Sequence, residues 1–226
     1  RLAGLARRGG LLAQLDHRRQ LEAHQRRHAA DADRHRVLHE RAAGVGEADS
    51  WATDAHKWLN VPYNSGLAFV RDPEALRAAM AVSAAYLPAG ESRNPADYTP
   101  ELSRRARGVE VWAALRSLGR AGLADLVERT CRHAARFAEG LRAAGYQVLN
   151  EVVLNQVLVS FGDQETTTRV IAAIQADGTC WCGGTVWQGH VAMRISVSSW
   201  ATTESDVERS LEAMLRVAAA QRKPAA

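Results

Sequence analysis

Asp49-Ser50-Trp51-Ala52-Thr53-Asp54-Ala55-His56-Lys57-Trp58-Leu59-Asn60-Val61-Pro62-Tyr63 is the stretch on which the reading of this chain turns. It contains Lys57, one of only two lysines in 226 residues; the other, Lys223, lies in the tail. The remaining basic residues are arginine and histidine. Arginine replaces lysine in a surface ion pair, but not where a neutral primary amine must attack a carbonyl. A lysine kept in mid-chain is therefore either a solvated loop residue or a Schiff-base nucleophile.

The neighbours bear on that choice. Polar side chains mixed with Trp51 and Trp58 read as a short strand running into a tight polar turn. Asn60 to Gly66 is dense in turn formers. Leu67-Ala68-Phe69-Val70, bounded by Gly66 and by Asp72-Pro73, carries the signature of a buried strand. Lys57 is thus expected between two strand-like segments, a rigid setting for a reactive group.

The string from Asp54 to Tyr63, preceded by Ala48-Asp49-Ser50-Trp51, closely resembles the cofactor-lysine segment of the group II pyridoxal-phosphate-dependent decarboxylases. That family includes the aromatic amino acid, glutamate and diaminobutyrate decarboxylases. The resemblance implies that Lys57 holds pyridoxal 5′-phosphate through a Schiff base. It implies that His56 and Asp54 lie near the cofactor phosphate and its lysine. A pyridine ring conjugated to that imine accepts the electrons left behind when a carboxylate departs as CO2. An amino acid substrate and a homodimer with active sites at its interface are implied as well. So is the fold: the C-terminal part of the aspartate aminotransferase-like transferase fold, α/β in a remnant of the large domain and α+β in a small C-terminal domain. The resemblance runs from about Ala43 to Ala218.

Downstream, Asp72-Pro73 opens a short helix over Glu74 to about Met80, as cap and first-turn proline. Residues 85–100 form a long loop with three prolines, a length that is often functional. The loop ends at Asp97-Tyr98-Thr99-Pro100, followed by Glu101-Leu102-Ser103-Arg104-Arg105, and there it resembles the family's mobile catalytic loop. That likeness makes Tyr98 the candidate proton donor reaching a partner's active site.

Val109, Val111, Trp112, Leu115 and Leu118 make the apolar face of one helix. Leu123, Leu126, Val127, Cys131, Ala134, Phe137 and Leu141 make that of a longer one, closed by Gly145. Strands are expected at Gln147–Leu149, Val157–Phe161, Thr179–Thr185 and Val191–Val197. Helices are expected from Thr166 to Ala176 and after a Thr202–Asp206 cap, the latter with Val207, Leu211, Met214 and Leu215 on one face. Helices on an antiparallel sheet make an α+β unit. Arg194 stands mid-strand between Met193 and Ile195, where a buried guanidinium needs a partner. The resemblance offers a substrate carboxylate; an internal salt bridge is the alternative.

The first residues fit none of this. Residues 1–42 are built from Arg, His, Ala, Leu, Gly, Gln and acidic residues, and hold five of the eight histidines. Arg18-Arg19 and Arg26-Arg27 interrupt any apolar helix face. No apolar strand leads into Asp31 or Asp33, so neither takes the family's aspartate role at the pyridine nitrogen. Two readings stand: a natural basic extension, or a shifted reading frame upstream of about Ala43 in GC-rich DNA. On either, the chain is expected to begin inside a larger enzyme. The expected organisation is an unmatched segment 1–42, part of the cofactor-binding large domain at 43–120, a small domain at 121–219 and a tail at 220–226.

Composition excludes several function classes. No run of eighteen apolar residues exists, so a membrane span is not expected, and no export pattern opens the chain. Three cysteines, an odd number without regular spacing, fit a reducing cytoplasm rather than a disulfide scaffold. Cys180-Trp181-Cys182 lacks the second pair of a structural zinc site, so no metal is expected. Nucleic-acid binding would need a concentrated basic face, and the net charge is only +4. Two rivals to decarboxylation remain from the sequence. One is another reaction on the same cofactor fold, an aminotransferase or a different lyase. The other is a non-catalytic basic interaction protein, which would bind with steep salt dependence.

Overall fold

The computed structural model describes residues 36–82 and 93–221. Residues 1–35, with Asp31, Asp33 and the question of frame or extension, lie outside the described residues, as does the 83–92 part of the long loop. The chain falls into two units, Arg1–Glu47 and Ala48–Ala226. In the first, 36–41 are helical and Val45–Glu47 form a 3-10 turn. Arg36 pairs with Glu40 one turn on, at 3.1 Å.

The second unit opens with a hairpin. Strand β1 (Ser50–Asp54) pairs antiparallel with β2 (Gly66–Val70), in a register that sets Asp54 opposite Gly66. Between them lies α1 (Ala55–Trp58), a single turn carrying His56 and Lys57. The expected polar turn is thus helical. The expected buried strand at Leu67–Val70 is not buried: Phe69 is 44% exposed and stacks on Trp51, ring centroids 4.0 Å apart. A two-stranded ladder has no further strand to cover its faces, so the two aromatic rings cover each other.

Helix α2 (Pro73–Met80) starts as expected. Asp72 caps it by accepting from the backbone N–H groups of Glu74 and Ala75, with Pro73 in the first turn. The two helices expected between Val109 and Leu141 are both present, together labelled α3 (Gly108–Ala143), and they meet at a kink at Gly119, where φ is 61° and ψ is −175°. Upstream of the break Val111 is buried, but Val109, Trp112 and Leu115 are exposed. Apolar spacing found the helix there, and the described residues supply nothing to cover its face. Downstream, Leu126, Cys131, Ala134, Phe137 and Leu141 are buried.

The rest is an α+β unit. Four antiparallel strands lie in the order β3-β4-β6-β5: β3 (Gln147–Val148), β4 (Gln156–Ser160), β5 (Gly183–Trp187) and β6 (His190–Ser196). Strand β5 begins four residues later than expected from sequence. It turns into β6 through Gln188 and Gly189, with φ of 50° and 82°. Two residues of positive φ suit the right-handed twist of a tight hairpin. Helices α4 (Gln164–Asp177) and α5 (Glu204–Ala220) pack with α3 over the sheet. Val157, Val159, Met193, Ile174, Leu141 and Met214 form the centre of that core, each almost fully buried.

The helix ends explain why these segments stop and start where they do. α3 closes with Gly145 at φ 85°, Tyr146 N–H donating to the Leu141 carbonyl and Gly145 N–H to that of Arg142. Only a left-handed residue makes both bonds, hence glycine. α5 opens with a reciprocal cap: Asp206 N–H donates to Thr203 Oγ1, and Thr203 N–H to the Asp206 carboxylate. Hydrogen bonds from the Thr203 hydroxyl, from its backbone N–H and from Arg209 hold the Asp206 carboxyl down at about 2. Arg136 forks onto Glu208 at 2.6 and 2.8 Å and joins α3 to α5. Among the described residues no helix is long and apolar enough to cross a membrane.

The α3–α5 crossing depends on Gly140. A Cβ built there would stand 2.3 Å from Leu211 Cδ2, and Leu211 is itself buried in the core. Gly140→Ala must therefore push the helices apart, outweighing alanine's helix preference, at a cost of about 1–3 kcal/mol. Thermal unfolding should show a lowered Tm for Gly140→Ala. Gly122→Ala should change it little, since a Cβ there meets only Leu118 Cβ at 3.3 Å and Leu118 Cδ2 at 3.5 Å.

Candidate functional site

The site is built on the connection between β1 and β2. Asp54 ends β1 and stands at the N-cap of α1, yet it caps no backbone group. Its carboxylate instead takes Lys57 Nζ at 2.6 Å. The Ala55 N–H donates to the Ser65 carbonyl at 2.9 Å, and Ala55 is buried. The loop is thereby closed at its base, with His56 and Lys57 at its crest. Lys57 hydrogen bonding holds the Asp54 carboxyl below the ordinary carboxylate range. Both side chains remain well exposed, 66% and 47%, so water and salt screen the pair and it opens readily.

After α1 the chain turns at Asn60, with φ of 53°. Asn60 Nδ2 reaches back to the Lys57 and Trp58 carbonyls at 3.3 and 3.2 Å, and across to the Ser198 carbonyl at 2.9 Å. Its Oδ1 accepts from Trp200 N–H at 3.1 Å. The 197–202 segment beyond β6 is held from several directions. Asn155 bonds Val197 through backbone and side chain, each at 2.9 Å. Arg129 donates to the Trp200 carbonyl.

Between the two segments lies a cleft of about 410 Å³, lined by His56, Lys57, Asn60, Val61, Ser198 and Ser199. The Nδ1 atom of His56 is buried without a hydrogen-bond partner, and its ring lies 4.4 Å from that of Tyr63. Buried imidazole nitrogens are normally paired. A primary amine in an open cleft, with an unpartnered imidazole nitrogen beside it, suits a group that bears an aldehyde and an anionic substituent. The residues present therefore fit pyridoxal phosphate. No cluster of three or more metal-ligating side chains occurs among the described residues.

The structure brings together Asp54, His56 and Lys57, three of the residues singled out from sequence. Tyr98 lies elsewhere, ending a 3-10 turn (Pro95–Tyr98) with the Arg93 guanidinium 4.3 Å over its ring. Arg194 is exposed on β6, opposite Gly183 and Leu158. Being exposed, it needs no internal partner. It precedes Ser198 by four extended residues, about 13 Å, and does not line the cleft. Sequence reasoning missed Ser198, Ser199 and the bridging role of Asn60. Asparagine in a turn-rich run signals a left-handed turn, but nothing in sequence joins residue 60 to residue 198.

Comparison with known proteins gives this geometry a context. The family model for the pyridoxal-dependent decarboxylase conserved domain matches residues 32–162, over half of the chain. It begins inside the segment 1–42 that shows no resemblance by eye. A histidine decarboxylase of Drosophila melanogaster is 30% identical over 181 residues, 77% of this chain and 21% of the relative. An aromatic-L-amino-acid decarboxylase of Drosophila lebanonensis is 27% identical over 174 residues, 74% of this chain and 43% of the relative. Among solved structures, Oryza sativa TDC with PLP and tryptamine superposes with a TM-score of 0.74 at 21% identity, covering 79% of this chain and 40% of that one. Catharanthus roseus tryptophan decarboxylase with L-tryptophan gives 0.69 at 20%, covering 80% and 40%. At such identities the likeness establishes the fold: this is part of the fold of pyridoxal-phosphate decarboxylases. The chain spans less than half the length of these relatives.

The burial of His133 on α3 makes the fold sensitive to acid. Burial pushes the His133 imidazole below its ordinary value of 6.5, outweighing the Thr202 hydrogen bond and Glu204, which favour its charge; Arg129 and Arg132 push the same way as burial. The folded protein thus binds this proton more weakly than the unfolded chain does. Stability is full above about 6.5 and is lost as pH falls through that value towards the lowered one. Melting curves from pH 7.5 to 5 should show a falling Tm, and His133→Gln should flatten the part of the slope that comes from this residue.

Proposed function

The chain belongs to the pyridoxal-dependent decarboxylase family, and from that premise we propose that it forms the lysine-bearing part of an enzyme that decarboxylates an amino acid. The observation that carries this is Lys57 Nζ in the open cleft, paired with Asp54 and adjacent to the unpartnered nitrogen of His56. Bound there, pyridoxal 5′-phosphate supplies an electron sink for the bond to the departing carboxylate.

The chain's own residues do the rest. Asp54 holds the Lys57 side chain at the cleft, and once Nζ has given a proton to solvent it would be free to hold the cofactor covalently. His56 lines the cleft beside Lys57, where its ring would flank the cofactor. Ser198 and Ser199 form the opposing wall and narrow the access of water. Tyr98 and Arg194 lie outside this cleft within one chain. The proposal places them in a homodimer, where Tyr98 donates a proton to a neighbouring copy's site and Arg194 meets a substrate carboxylate. The exposed Val109, Trp112 and Leu115 face is apolar enough to be covered by such a partner. Three free cysteines, two of them buried, suit a reducing compartment, and a cytoplasmic location follows in the proposal.

CO2 release from a panel of aromatic, acidic and dibasic amino acids tests this reading. In the protein that completes the family fold around these residues, Lys57→Arg keeps a cation beside Asp54 and should lose turnover by about three orders of magnitude. Equal turnover in the variant would remove Lys57 from the mechanism. Chain 1–226 by itself should turn over far below the ordinary rate of about 1 per second or more. Cofactor orientation and charge stabilisation draw on many residues together, and the effects compound.

A further inference from the structure

We infer that Asn60 is a positioning residue: its side-chain amide stitches the lysine turn to the Ser198–Trp200 segment and so fixes Lys57 for cofactor capture. The inference rests on reading Lys57 as the cofactor lysine. It adds a residue that no part of that reading uses.

The argument starts from the backbone. At φ 53° Asn60 occupies the left-handed region, which costs any residue with a Cβ and costs glycine least. Glycine would therefore serve the turn better, were the turn all that mattered. Asparagine adds an amide, and every part of that amide is engaged. Its bonds to the Lys57 and Trp58 carbonyls are local and would suffice for a helix C-cap. The two others cross 138 and 140 residues of sequence. Nδ2 donates to the carbonyl of Ser198, and Oδ1 accepts from the N–H of Trp200. A donor–acceptor pair of that kind is what a neighbouring strand would present to residues i and i+2. The amide thus acts as one rung of a ladder between two segments that pair nowhere else in the sheets.

The position of that rung is what links it to function. The cleft has two walls, His56 to Val61 on one side and Ser198 with Ser199 on the other. Asn60 stands three residues from Lys57 and touches both. The Lys57 side chain is exposed, and its ion pair with Asp54 is screened, so neither defines where its backbone sits relative to Ser198. The amide bonds do. The far segment is tied in turn to the α+β core by Asn155 and Arg129.

The test uses the full chain with Asn60→Gly, which relieves the backbone and deletes both arms, and Asn60→Asp, which keeps the acceptor for Trp200 N–H and loses the donor to Ser198. Two quantities are read. One is hydrogen exchange at the Trp200 amide, with the core amides Val159 and Met193 as controls. The other is the apparent affinity for pyridoxal 5′-phosphate from its visible absorbance on forming the imine. In Asn60→Gly, exchange at Trp200 should rise roughly tenfold or more and cofactor affinity should fall by a similar factor, the controls staying protected. Asn60→Asp should keep Trp200 protected yet still lose affinity, and it decides the matter if Asn60→Gly does not fold. Faster Trp200 exchange with unchanged affinity would overturn the positioning role while leaving Lys57 as the cofactor lysine. Unchanged exchange in Asn60→Gly would overturn the stitch itself. A wild-type chain that forms no imine would overturn the cofactor reading, and the positioning role with it.

Discussion

A strand that leaves its sheet must find new partners for its backbone. Strand β6 leaves at Ser196, and α5 starts only at Glu204. Backbone N–H and C=O groups freed from a ladder are obligatory hydrogen-bonding groups, and water or other protein groups must take them. Along 197–202 they are met by Asn155, Asn60 and Arg129, drawn from three separate parts of the chain. This requirement brings the turn that carries Lys57 against the α+β unit, and the cleft is the space the two segments enclose. The catalytic geometry proposed for the chain is thus a by-product of satisfying one crossover.

The core behind it supplies the rigidity. Close approach at Gly140 lets α5 lie on α3, and the cap at Thr203 fixes where α5 begins. Since α3 also carries Arg129, the helix that packs the core is the one that holds the far wall. The near wall has less support. Its hairpin has two strands and an exposed Trp51–Phe69 stack, and the match covers only 21% and 43% of the two Drosophila relatives. A wall with so little packing of its own depends more on individual hydrogen bonds, which is why Asn60 carries weight here.

Much of this was legible in sequence because it rests on local chemistry. Asp72-Pro73 as a helix start, Gly145 as a stop and the Thr203 cap depend on residues within four positions of one another, and each appears where its chemistry puts it. The Asp54-His56-Lys57 grouping was also local, one helical turn. What local chemistry does not determine is burial. Leu67–Val70 reads as buried and is not, and the Val109 to Leu115 face is apolar yet exposed, because spacing shows which residues want cover and not what covers them. The expected burial of Arg194 failed for the same reason: its apolar neighbours suggested it, but alternation along β6 turns the side chain outward. Long-range polar contacts leave still less trace. Asn60 and Ser198 are far apart in the chain, and one is a turn former like its neighbours.

The central claim is that Lys57, and not merely some amine of this chain, takes the cofactor. The most direct measurement is borohydride reduction of protein incubated with pyridoxal 5′-phosphate, followed by peptide mass analysis. With two lysines in the chain, Lys57 and Lys223, the readout is close to binary. The account predicts the reduced adduct on the peptide that contains Lys57, with Lys223 labelled only at the level of a free amine. An adduct confined to Lys223, or shared equally between the two, would contradict it.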